Sequence, residues 1–102
     1  MSNITQARKA LVGRILEGSG YASRTQRSAA FNNAGLAAPV STLIDKVAKC
    51  SYKVMDEDIA GAKAAGLSED QIFELVVCAA AGQAARQYDA ALAALMAASH
   101  EE

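Results

Sequence analysis

The run from Val40 to Leu75 restricts this chain most, because its apolar residues return at helical spacing and never alternate as a strand would. Val40, Leu43, Ile44, Val47, Ser51, Val54 and Met55 form one stripe, which Ile59 and Ala62 carry up to Gly66. One helix satisfies this spacing, and so do two short ones bent near Ser51–Val54. Pro39 falls at N1 of the run, where a missing N–H costs nothing. Gly66 is suited to stop the helix, with Leu67 placed for the apolar contact of a Schellman end. Ser68 and Gln71 then form a capping box, and Glu69 and Asp70 occupy the first turn, where the helix dipole favours acids.

The rest of the chain repeats this grammar. Asn3 and Gln6 open a helix whose apolar stripe is Ile4, Ala7, Leu11 and Ile15, widened by Val12 and Leu16 and closed by Gly18-Ser19-Gly20. Ser23 and Gln26 cap a short helix that ends near Asn33, with Gly35 suited to a left-handed exit. Its Arg24 and Arg27 read as surface charges, as do Arg8, Lys9 and Arg14 before them. From Ile72 to Ala98 the chain is helix-forming almost throughout. Gly82, which costs about 1 kcal/mol against alanine there, marks a kink or a close crossing. The tail from Ser99 to Glu102, with the lone His100, reads as solvated and frayed. The expected fold is all-α: a single helical domain over 1–102 with about five to six helices.

Alanine dominates the hydrophobic 52% of the chain, and aromatics supply only 5%, so a core built by one copy would be thin. Part of the stability is therefore expected from subunit association. A net charge of −1 gives no footprint for nucleic acid. No apolar run approaches the roughly 20 residues of a membrane span. The first residues have no apolar signal-like stretch, and two cysteines make no disulfide framework, so a cytoplasmic location is expected.

Three groups could carry chemistry. Cys50 lies at the edge of the stripe between Lys49 and Lys53, which could favour a thiolate if the sulfur is exposed; a buried inert thiol is the plainer reading. Cys78 sits among apolar neighbours and reads as buried. Asp58, in the acidic turn Asp56-Glu57-Asp58, falls on or beside the apolar face and needs a partner there. A raised pKa would make it a general acid or base; an exposed helix-edge acid is the alternative. Arg86 and Asp89 are spaced for an ion pair along one helix, although alanine-lined Arg86 could instead face a neighbouring subunit. Phosphate-loop, dinucleotide, zinc-protease and serine-hydrolase motifs are absent, and no cofactor or metal is expected.

Cys50-Ser51-Tyr52, the stretch from Ile59 to Ser68 (IAGAKAAGLS), Gln71-Ile72, and more weakly Arg86 to Leu92 resemble the alkylhydroperoxidase D-like and carboxymuconolactone decarboxylase-like superfamily. The likeness spans Ala38 to Leu95 and implies an all-helical subunit assembling as a trimer or hexamer. The peroxidase branch uses a Cys-x-x-Cys pair, a histidine four residues beyond it and an upstream glutamate. Aligned on Cys50, this chain has Lys53 at the second cysteine, Glu57 at the histidine and Ala38 at the glutamate. Counted back from Gly66, Ser51, Val54 and Asp58 take the two cysteine positions and the histidine position.

The resemblance thus implies an antioxidant, peroxidase-type activity with an altered one-cysteine site. Cys50 would attack, Lys53 or Lys49 would favour ionisation, Glu57 or Asp58 would move protons, and an external thiol would act as reductant. Two alternatives stand beside it. One is a non-catalytic binding or structural oligomer with a cavity for a small apolar ligand between Val40–Gly66 and the last helix. The other is a cofactor-free acid–base enzyme acting on a lactone or keto acid through Asp58.

Overall fold

The computed structural model describes residues 2–100, and side chains over 4–99. Five α-helices follow one another: α1 (Ser2–Glu17), α2 (Arg24–Asn32), α3 (Val40–Cys50), α4 (Asp56–Ala64) and α5 (Glu69–His100). A single 3₁₀ turn, Ser51–Lys53, separates α3 from α4. There is no strand among the described residues, so the all-α expectation holds. No described helix is long and apolar enough to cross a membrane. The expected Asn3 cap and the solvation of His100 concern side chains outside the described residues, as do Glu101 and Glu102.

Local chemistry explains the boundaries. Ser23 Oγ accepts from the Gln26 N–H at 3.0 Å, while Gln26 Oε1 accepts from the Ser23 N–H at 3.2 Å. The same reciprocal pair joins Ser68 and Gln71 at 3.1 and 2.8 Å before α5. Each box satisfies two N–H groups that the helix itself cannot pair. Asn33, φ 52°, is the left-handed residue that ends α2, and Gly35, expected in that conformation, follows two positions on at φ 90°. Pro39 stands just before α3 rather than inside its first turn.

Gly66 ends the α4 segment at φ 106°, a conformation open to glycine without a Cβ penalty. Its N–H donates to Lys63 O, and the Leu67 N–H donates to Ala62 O, which is the Schellman pattern. The long stripe is therefore two helices. The break falls at the 3₁₀ turn, where Val54 N–H donates back to Ser51 O at 3.1 Å and Val54 becomes extended.

α2 and α3 pack on the first half of α5, α4 closes over α3 and α5, and α1 lies along α2 and α5. One apolar cluster joins Ala22, Ala30, Ile44, Leu75, Cys78 and Ala79; the other joins Leu43, Ala62 and Ile72. Small residues prevail in the first, and Leu43, Ile44, Leu75 and Cys78 are the largest fully buried side chains. The expected α1 stripe divides. Ile15 and Leu16 reach the core, whereas Ile4 and Leu11 are exposed.

Candidate functional site

The residues named from the sequence gather around the α3–α4 junction. Cys50 is the last residue of α3 and is half-buried; its helix end presents carbonyl oxygens, not N–H groups, towards the 3₁₀ turn. Lys49 is drawn to Asp45 at 3.3 Å, one helical turn back. Lys53 is exposed and lies 5.9 Å from the centre of the Tyr52 ring. Glu57 is exposed in the first turn of α4.

Asp58 has two partners. The Met55 N–H donates to its Oδ2 at 2.8 Å, and Lys46 Nζ donates to both carboxylate oxygens at 3.0 Å. These partners, the Met55 N–H foremost, hold the carboxyl below the usual aspartate range. The shift is opposite to the raised pKa that a neutral proton donor needs. Asp58 instead ties the start of α4 to the middle of α3, and Lys46 is one turn from Cys50 on the same face.

A second polar cluster was not foreseen. Arg27 is buried, with Nη1 donating to Gly18 O at 2.6 Å and Ile15 O at 3.3 Å. It satisfies carbonyls at the end of α1, so the surface-charge reading of Arg27 is corrected. Its position one turn before buried Ala30, at i, i+3, was the available signal. Glu74 accepts from the Tyr21 and Ala22 N–H groups at 2.7 to 3.0 Å and so pins the α1–α2 loop to α5. Those amides, the Ala22 N–H first, depress the Glu74 carboxyl. Cys78 beside this cluster is 1% exposed, and burial pushes its thiol up.

The Arg86–Asp89 pair expected within α5 does not form. Arg86 Nη1 donates to Phe31 O at 2.8 Å at the end of α2, and Nη2 donates to Gln83 at 3.1 Å. Asp89 receives both Nη groups of Arg8 from α1, at 2.7 and 3.2 Å, and the Arg8 guanidinium lies 5.1 Å from the Tyr88 ring centre. Both residues join helices.

Two grooves complete the geometry. One of about 270 Å³ lies between α4 and α5, lined by Ile59, Ile72, Phe73 and Val76 with the Lys63–Glu69 pair at its rim. Its place corresponds to the apolar cavity expected between Val40–Gly66 and the last helix. Another of about 540 Å³ runs between α1, the end of α2 and α5. No set of His, Cys, Asp and Glu among the described residues is grouped to hold a metal.

Compared with protein-family profiles, curated proteins and solved structures, the chain matches none. Its site is therefore defined by its own side chains. Around the α3–α4 junction they bring together the half-buried Cys50, a paired Lys46–Asp58 bridge and two lysines that flank Cys50 in sequence. They do not assemble a second sulfur or an imidazole beside it among the described residues.

Proposed function

We propose that this chain is a non-catalytic helical subunit whose work is association, acting within a homo-oligomer. The supporting observation is its surface. It exposes 6765 Å², against about 5,500 Å² for a compact monomer of its mass. The radius of gyration agrees: 15.5 Å, where about 13 Å is usual for this length. The excess is larger than the roughly 800 Å² that each partner contributes to a standard interface. Apolar side chains contribute to it, with Ile4, Leu11, Phe73, Leu95 and Met96 all more than half exposed.

An oligomer that stabilises its own subunits melts at a temperature that rises with concentration. The melting temperature is expected to fall measurably when the protein is diluted about a hundredfold. An unchanged melting temperature over that range contradicts the reading.

A second reading rests on the partial exposure of Cys50, a half-buried residue where Cys78 is buried. In it the Cys50 thiolate attacks a peroxide oxygen, the O–O bond breaks and an alcohol leaves. The resulting sulfenic acid condenses with one external thiol, releasing water, and a second thiol displaces Cys50 from the mixed disulfide as the external disulfide forms. This is the alkylhydroperoxidase-like antioxidant role with one cysteine. Thiol-dependent peroxide consumption that disappears in Cys50→Ser supports it; a rate equal to the buffer blank removes it.

A further inference from the structure

We infer that the far end of α5, together with the first turns of α1, is an arm that pairs isologously with the same arm of a second copy. The inference rests on the association reading above and names its surface. From Ala90 to Ser99 the chain reads AALAALMAAS, with no ionisable side chain, and every residue of it is exposed except half-buried Leu92. A helix apolar all round belongs in an interior, yet this one projects.

The bidentate bridge from Arg8 to Asp89, with Arg8 over Tyr88, fixes α1 beside α5 at the base of this segment. Ile15 O near Cys78 Sγ shows that the two helices run antiparallel, so the start of α1 accompanies α5 beyond Asp89. The arm is thus two helices with exposed Ile4, Leu11, Leu95 and Met96, which no other described residue covers. Two such arms make four helices, enough to enclose an apolar core between them.

A second copy is favoured over an unrelated partner by charge. On a two-fold axis each side chain meets its own equivalent, so a charged patch there repels itself. Ala90–Ser99 carries no charge and escapes that penalty. Alanine at six of these ten positions also permits close backbone approach. Leu92, Leu95, Met96 and Ser99 follow i, i+3, i+4, i+7, the spacing of one helix-pairing stripe. The surface excess is large enough to supply one partner's share, roughly 800 Å², of a standard interface.

The test compares light-scattering masses of three proteins: the wild type, Leu95→Glu/Met96→Glu, and Phe73→Glu on the α4–α5 groove. The arm variant is expected to shift to the monomer mass, with dissociation raised at least about tenfold and helical circular dichroism of the core retained. Phe73→Glu is expected to remain associated. Dissociation by Phe73→Glu alone overturns the arm while leaving the association reading intact. A wild type monomeric at every concentration overturns both, whether or not it binds lipid vesicles. If the arm variant unfolds, Ala94→Arg, a charge on the same segment, carries the same comparison.

Discussion

Gly82 lies directly against the main-chain oxygen of Phe31, so close that a Cβ at position 82 would overlap it. Arg86, one turn on, donates to that same oxygen at 2.8 Å. The end of α2 is therefore seated on α5 by an absence of side chain at one position and a charged donor at the next turn. On helix propensity alone Gly82→Ala would stabilise α5 by about 1 kcal/mol. The overlap is with backbone and cannot be relieved by a rotamer, so a net loss of about 1–3 kcal/mol is expected instead. Urea unfolding of the two proteins decides it; a gain in midpoint would show that α2 is free to move.

Arg27 serves the end of α1 as Arg86 serves the end of α2. Removing its donors leaves the Ile15 and Gly18 carbonyls with less than their due in a buried setting. Arg27→Met keeps the apolar stem and loses the hydrogen bonds, for an expected cost of about 2–3 kcal/mol. Arg27→Lys should recover part of it. A denaturation midpoint within about 0.5 kcal/mol of wild type for Arg27→Met would contradict the capping role.

Acid should unfold the protein through Glu74 and Asp58. Both carboxyls are held below their ordinary values by hydrogen bonds made in the folded chain, Glu74 chiefly by the Ala22 and Tyr21 N–H groups and Asp58 by the Met55 N–H and Lys46. A depressed folded pKa means that the unfolded chain binds protons first. The stabilisation is complete above the unfolded value near pH 4 and is lost as pH falls through the folded one. Melting temperature should be level from about pH 8 to 5 and drop below about pH 4. Glu74→Gln should lower the plateau and flatten the acid drop; an unaltered acid slope in Glu74→Gln with Asp58→Asn would assign the drop to other groups.

The two thiols should differ in kind. Cys50 is half-buried and Cys78 is 1% exposed with its pKa raised by burial. Iodoacetamide under native conditions should add once, at Cys50, and twice after denaturation. Native modification of Cys78 at a comparable rate would mean that α1 lifts readily from α5.

Helix boundaries were legible because they are local. Ser23–Gln26, Ser68–Gln71 and Gly66 each act within a few residues, and the sequence carries the whole device. Gly82 was legible as a close crossing or a kink, and Phe31 is what approaches it. Long-range polar pairing was not legible. Arg27, Glu74, Arg86 and Asp89 all bond partners at least nine residues away or across helices. Local spacing could only suggest surface charge or an i, i+3 pair. The break near Ser51–Val54 was one of two readings the spacing left open, and the partners of Asp58, the Met55 N–H and then Lys46 a helix away, reverse the direction expected for an acid catalyst.

Association is the claim on which the rest depends, and sedimentation equilibrium of the wild type tests it most directly. A mass at least twice 10.6 kDa at micromolar concentration is expected. A mass of 10.6 kDa at every concentration up to about 100 μM would contradict it.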